Sequence, residues 1–540
     1  MRRAHLLIWW PRTWLASRSG WRPRAVLVVA GLFSALAAAP LHVVPALMLG
    51  LWTLFAALDG SRRFDRPLKS AFLRGFLFGF GYFIAGMSWV VYAFLTRGNG
   101  VEILAPLALP ALAALMAVFW GIGGVIYVAI APRSVWRVLV FAAALAFSEW
   151  LRGHVLGGLP WNLPAYVWPA GGLVSQTASW FGVYGLSLLT VFVLTAPLLA
   201  ITPRLELGRT LPTFAALGIS MIVLATGAIR LAASPPDNVP GVTIRLVQAG
   251  IPQSLKWGEG GVALTRDRYL ALTARDGIDA VTHVVWPEGA LPTFMLEDGN
   301  TLARIGDTLT GGQTLLAGVN RRASDGQGLR YFNTLAALRY ESGTPRIAAL
   351  YDKVRLTPFG EFTPLSGVMA MTGIPALQDL ARYEFTPGPG ASVLDVPGAP
   401  RMLPLICYEA IFPEFVRSAD QRASWIYNLS NDAWFGPTAG PRQHFNQASY
   451  RSIESGLPMV RSAALGVSGV VDALGRPVAT LDPSGEGVRD VSLPGELGRT
   501  PYSFWGDAPF LAFCLLVLIG MAWQRFRGMR ETSGSSREAS

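Results

Sequence analysis

Arg401-Met402-Leu403-Pro404-Leu405-Ile406-Cys407-Tyr408-Glu409-Ala410 is the stretch from which the rest of this chain is read. Its apolar run predicts a buried strand that delivers one cysteine to its carboxyl end, and Ile411–Arg417 predicts the start of a helix. In open α/β sheets, reactive groups gather at the carboxyl ends of strands. Cys407 is therefore a candidate nucleophile, although a buried structural cysteine fits the local pattern as well. The choice depends on what the remaining sequence places beside it.

Working outward, Val242–Gln248 alternates and is β-branched, which predicts a strand. Further strands are predicted at Val281–Trp286, Thr314–Val319, Phe332–Leu338, Ile347–Tyr351, Trp425–Asn428, Met459–Ala464 and Ser468–Val471. Helices are predicted at Val262–Arg275, Leu302–Leu309, Phe412–Asp420 and His444–Ser455. Strands alternating with helices imply an α/β domain.

The flanking sequence has a different texture. The 540 residues are 52% hydrophobic and only 15% charged, against about a quarter charged in soluble proteins. Apolar runs at Ala25–Pro40, Leu41–Leu58, Phe72–Leu95, Leu104–Ala131, Val138–Leu151, Gly182–Ile201, Leu211–Ala232 and Phe504–Trp523 predict eight membrane spans, give or take one. The first could pass for a signal peptide, with Ala37-Ala38-Ala39 as its cleavage site, but the next apolar run follows at once and favours an uncleaved hairpin.

The net charge of +11 comes from basic segments at the N-terminus, Ser61–Lys69, Pro132–Arg137, Pro203–Arg209 and Gln524–Arg530. The alternate connections are nearly free of Lys and Arg, so both termini are expected in the cytoplasm and residues 233–503 outside. Charge distributed in this way marks topology and excludes a nucleic-acid footprint. The expected domains are a helical region at 1–232, an external domain at 233–503, a last span at 504–524 and a polar, disordered tail at 525–540. Glu149 and Arg152 at the end of the fifth span suggest an ion pair with a snorkelling arginine, near a loop rich in Trp and Pro.

Three strand ends each deliver one polar group: Glu288 after Val281–Trp286, Lys353 after Ile347–Tyr351, and Cys407. Singly each is weak, since a surface salt bridge explains a Glu or a Lys. Together they form the base, cation and nucleophile that covalent acyl transfer requires. Glu361 is a fourth candidate, able to hold Lys353 or share the base role. The amide after Cys407, at a helix start, is a candidate oxyanion donor. Metal-ligand spacings and nucleotide-binding loops are absent, so no cofactor and no metal is expected.

Trp286-Pro287-Glu288, then Tyr351-Asp352-Lys353 with Pro358-Phe359-Gly360-Glu361, then Ile406-Cys407-Tyr408-Glu409, resembles the nitrilase superfamily. The resemblance implies an αββα sandwich and a Glu288–Lys353–Cys407 triad, with Glu361 as auxiliary glutamate. Val247-Gln248, Ile251-Pro252-Gln253, Lys256-Trp257, Asn428–Gly436 and Gln443-His444-Phe445 narrow it to the apolipoprotein N-acyltransferase family.

That family resemblance implies a multi-pass protein of the bacterial inner membrane with its catalytic domain in the periplasm. It implies a phospholipid acyl donor, a diacylglyceryl-modified apolipoprotein acceptor, membrane-lipid contact, no nucleic acid and a monomer. A membrane-anchored amidase, handing its thioester to water, is the alternative. Trp257, Tyr408, Glu409, Trp434 and Asn333 are candidate substrate-binding residues, with packing, capping or strand-end roles as the competing reading. His444 is expected to be structural, and Met369, Met371, Ile374 and Leu377 to form an apolar arm.

Overall fold

The computed structural model describes residues 13–538 apart from 97–99, 202–206, 234–235, 310, 325–327, 342–343, 365, 367–370 and 372–383. Met369, Ile374 and Leu377 lie outside the described residues, while Met371 is 87% exposed. The chain divides into a helical unit, Met1–Ser88 with Leu109–Ala232 and Phe504–Ser540, and an α/β unit, Trp89–Ala108 with Ala233–Ser503.

In the helical unit and its connections, seven helices among the described residues are long and apolar enough to cross a membrane: Val44–Arg63, Pro67–Gly86, Val101–Ile130, Arg137–Gly157, Val174–Leu199, Gly208–Ala232 and Ala508–Arg525. The first apolar run forms only a 14-residue helix, Trp21–Ser34, closed by a 3-10 turn at Ala35–Ala37. At 1.5 Å per residue that helix falls short of a bilayer core of about 30 Å. The C-terminal helix runs from Ala508 to Glu538, so the tail expected to be disordered continues the last helix. Extending an existing helix avoids the nucleation cost that keeps short polar segments unfolded.

Glu149 and Arg152 pair as expected, but both side chains are fully buried and the arginine does not snorkel. Trp120 Nε1 donates to Glu149 Oε1 at 2.7 Å, and Arg152 donates to the carbonyl of Trp161 at 3.0 Å. These partners take the place of the water that a buried ion pair loses.

The α/β unit contains two sheets. The six-stranded one has the order β11-β1-β2-β3-β4-β5, from β1 (Thr243–Gln248), β2 (His283–Trp286), β3 (Thr314–Ser324), β4 (Leu329–Glu341), β5 (Thr344–Asp352) and β11 (Gly487–Ser492). The five-stranded one has the order β10-β9-β8-β7-β6, from β6 (Met402–Ile406), β7 (Trp425–Asn431), β8 (Met459–Ala464), β9 (Gly469–Val471) and β10 (Pro477–Thr480). Strands β1, β2 and β3 run parallel, as do β6, β7 and β8, with antiparallel neighbours outside them.

Strand periodicity builds the layers. Ile244, Leu246, Val285, Leu316 and Leu335 meet Met402, Ile406, Tyr427, Leu429 and Val460 between the sheets. The alternate residues Val247, Val284, Trp286, Leu315 and Ala336 face Tyr269, Leu272 and Ile305. Those last residues belong to α2 (Gly261–Thr273) and α3 (Gly299–Thr308), which follow the single turn α1 (Gln253–Lys256). Helix α4 (Gly440–Ser455) is buried along most of its length on the side of the second sheet. Each fully buried aliphatic side chain of this kind contributes about 2 kcal/mol over its exposed state.

The helix expected at Phe412–Asp420 is replaced by two 3-10 turns, Cys407–Ile411 and Phe415–Ser418. Pro413 explains the break. Its ring disfavours helical geometry at the preceding residue, and Phe412 is extended at φ −87°, ψ 115°.

Candidate active site

Three strands of the two sheets end at one place. Pro287 and Glu288 follow β2, Lys353 follows β5, and Cys407 follows β6. The pairing of β4 with β5 sets Lys353 beside Asn333, whose O accepts from Lys353 N at 2.8 Å and whose Nδ2 reaches Glu288. Across the sandwich, Tyr427 Oη donates to Trp286 O at 2.7 Å and ties the end of β2 to β7. Gly318 of β3 is required here, since a Cβ would lie 2.5 Å from Glu288 Cα and 2.6 Å from Pro287 O.

The Lys353 side chain is 1% exposed and its Nζ lies 2.7 Å from Glu361 Oε2 and 3.3 Å from Glu288 Oε1. Burial opposes the ammonium charge, but Glu288, Glu361 and the nearby Cys407 sulfur outweigh it, and the pKa is raised. Asn333 Nδ2 donates to both carboxylates, at 2.6 Å to Glu288 Oε1 and 2.6 Å to Glu361 Oε1. One amide and one ammonium thereby hold two carboxylates that would otherwise repel each other. Asn431 N donates to the other Glu288 oxygen at 2.7 Å, and Thr357 N donates to Glu361 Oε2 at 2.8 Å.

Cys407 adopts φ +50°, a left-handed conformation that few residues other than glycine take up. This elbow leads from β6 straight into a 3-10 turn, and the Cys407 side chain packs against the apolar core between the sheets. The thiol is pushed up by burial and by the Glu288 carboxylate, with Lys353 acting the other way, so the resting sulfur is protonated. Chemically, the arrangement offers a neutral thiol, a carboxylate to take its proton and a fixed ammonium for a developing oxyanion.

The structure brings Glu288, Lys353, Cys407, Glu361 and Asn333 together. Glu409 has a different place from that of a substrate contact. Its carboxylate is completely buried and accepts from Val354 N at 2.7 Å, Arg355 N at 3.1 Å, Ile406 N at 2.7 Å and Tyr351 Oη at 3.2 Å. It staples the Lys353 loop to the Cys407 turn. Burial raises its pKa to about 7 against the pull of those amides. Tyr408 packs edge-on to Phe412 at 4.9 Å. Trp257 is 62% exposed and donates to Gln253 Oε1 at 2.9 Å, and Trp434 is half-buried on the 3-10 turn Asp432–Phe435.

Other residues near the site lie in the quoted motifs, but the motifs do not say what they touch. Lys256 is buried, with its Nζ donating to Gly289 O beside Glu288; burial lowers its pKa to about 8 while Glu288 acts against that. Gln253 Nε2 donates to Asn431 Oδ1 at 3.2 Å, which anchors the same turn to the end of β7, where Asn431 N holds Glu288. Behind Cys407, Ser430, Asp432, His444 and Arg461 form a buried cluster. His444 thus has buried structural partners, and its Nε2 lies 3.2 Å from Cys407 O. The polar residues of Asn428–Asp432 within an apolar surrounding were the available signal for this cluster. Among the described residues no group of His, Cys, Asp and Glu is arranged to hold a metal ion.

Residues 30–196 match the family described as apolipoprotein N-acyltransferase N-terminal domain, and residues 243–502 match the carbon-nitrogen hydrolase family. An apolipoprotein N-acyltransferase of Caulobacter vibrioides is 41% identical, over 94% of this chain and 95% of its own. Those of Rhodopseudomonas palustris and Bradyrhizobium diazoefficiens are 36% and 37% identical, each over 93% of this chain and over 95% and 94% of their own. With a shared architecture and similarity that runs through both units, the chain belongs to the apolipoprotein N-acyltransferase family.

Proposed function

We propose that this protein moves a fatty acyl chain from a phospholipid to the amino group of the diacylglyceryl-cysteine that begins an apolipoprotein. The observation that carries the reading is the Lys353 ammonium, held between Glu288 and Glu361 beside the one cysteine of the α/β unit. Membership of an acyltransferase family supports transfer to an amine over discharge to water.

In the first half-reaction, Glu288 takes the Cys407 proton as Sγ attacks the ester carbonyl. The oxyanion develops against the Lys353 ammonium, and collapse expels the lysophospholipid alkoxide, which takes the proton back from Glu288. In the second, the acceptor amine attacks the thioester carbonyl and loses its proton to Glu288. The Cys407 sulfur then leaves and is reprotonated. This is a ping-pong scheme in which one carboxylate serves as base and acid in turn. Because burial keeps the thiol neutral at rest, proton removal and attack occur together.

The Lys and Arg distribution supports cytoplasmic termini and a periplasmic α/β unit in the inner membrane. The test is to incubate purified protein with phospholipid and follow its mass. The expected result is a gain of one acyl chain on Cys407, discharged by a diacylated peptide and only slowly by water. Discharge by water at the same rate without the peptide would replace this reading with an amidase.

A further inference from the structure

One oxygen of Glu288 is held from its own sheet and the other from across the sandwich. Lys353 and Asn333 donate to Oε1, while Asn431 N donates to Oε2 at 2.7 Å. Asn431 closes β7 and caps the 3-10 turn Asp432–Phe435, its Oδ1 accepting from Ala433 N at 3.4 Å. The same Oδ1 accepts from Gln253 Nε2 at 3.2 Å. Gln253 opens α1, the single turn that ends at Lys256.

An indole N–H can only donate, and this fixes which way the Gln253 amide points. Trp257 Nε1 donates to Gln253 Oε1 at 2.9 Å, so the Nε2 end is the one left to meet Asn431. A reversed amide would set oxygen against oxygen at Asn431. The other end of α1 reaches the loop that carries the base itself. Lys256 is 6% exposed, and its Nζ donates to the carbonyl of Gly289, the residue after Glu288, where the chain turns at φ +52°. Ordering a lysine side chain and burying its ammonium both oppose folding, and the nearby Glu288 carboxylate offsets part of that cost.

We propose that α1 positions the base, with Gln253 and Lys256 as positioning residues that set Glu288 through Asn431 and Gly289. Gln253 acts by fixing the residue whose amide holds Oε2, and Lys256 by fixing the peptide that follows the base. Clamped at both ends, the turn keeps Oε2 on its amide while the carboxylate takes and returns protons. The proposal rests on Glu288 being the base. Since that one carboxylate serves both half-reactions, loosening the clamp slows both alike, whereas a residue that touches only one substrate slows only one.

The experiment measures both half-reactions in full-length protein carrying Gln253→Met or Lys256→Met, substitutions that keep an unbranched side chain and remove the donor. Thioester formation is followed by mass in single turnover across a range of phospholipid concentrations, and discharge is followed across a range of diacylated peptide. Each variant should slow both maximal rates about tenfold, the upper end of one ordinary hydrogen bond, with the half-saturating concentrations unmoved. Unmodified rates in either folded variant would overturn the proposal. So would a loss confined to one half-reaction, or one seen in a half-saturating concentration, since these mark contact with substrate. Either variant decides the matter alone should the other fail to fold. A Glu288→Gln protein that forms the thioester at the unmodified rate would overturn the assignment of the base, and the proposal with it.

Discussion

Lys353 Nζ lies 2.7 Å from Glu361 Oε2, closer than to the Glu288 carboxylate at 3.3 Å. The tighter partner holds the ammonium in place, while Asn333 Nδ2 bridges both carboxylates. In the proposed mechanism Glu361 orients the cation and Glu288 takes the proton. Glu361→Gln should slow single-turnover thioester formation by about a hundredfold, the scale of losing one preorganised electrostatic contribution. Binding of phospholipid should change little. Acylation at the unmodified rate would remove Glu361 from the mechanism.

The left-handed Cys407 backbone should make two variants that lack the thiol differ in stability. Cys407→Ala keeps a Cβ at φ +50°, whereas Cys407→Gly removes it. Offset partly by the entropy of glycine in the unfolded chain, the glycine variant should be the more stable by about 1 kcal/mol. Thermal unfolding of the two purified proteins decides it, and an alanine variant equal or superior in stability would argue against strain at the elbow.

Glu409 should make stability depend on pH in a definite direction. Its folded pKa of about 7 lies above the ordinary 4.5, so folding favours the protonated form. The contribution is fully present below about pH 4.5 and is lost as pH rises through about 7. The full swing is about 3 kcal/mol. Glu409→Gln should flatten that dependence. It should also destabilise the α/β unit by about 1–3 kcal/mol, because its amide N–H groups would face backbone donors. Unfolding midpoints across that pH range, with and without the substitution, provide the check.

Gly318 supports Glu288 through backbone contact alone. Gly318→Ala must push back the Glu288 Cα, which would lie 2.5 Å from the new methyl group. Overpacking of this kind costs about 1–3 kcal/mol, and a shift of the base by about 1 Å slows chemistry by about a hundredfold. A variant with unmodified stability and acylation rate would show that β2 and β3 can separate freely.

Much of the fold was legible because alternation along β1 to β4 has one physical cause. Successive side chains point to opposite faces, and both faces are covered, one by the other sheet and one by helices. Strands β10 and β11 escaped because their side chains are largely exposed and give no apolar signal. The Phe412–Asp420 stretch was misread by giving its apolar spacing more weight than Pro413. In the site, Glu288, Lys353 and Cys407 could be recognised as polar groups closing apolar strands. Glu409 could not be placed in the same way. Nothing in Cys407-Tyr408-Glu409 says that its carboxylate turns inward to the amides of Val354, Arg355 and Ile406.

The amino-acid order by itself determined most of the strands, seven of the apolar helices and the polar groups that close three strands, because periodicity and charge are local properties of a chain. Only tertiary structure decided the partners of each group. Ser430, Asp432, His444 and Arg461 are ordinary residues apart, and they become one hydrogen-bonded cluster only where the folded chain removes water from all four.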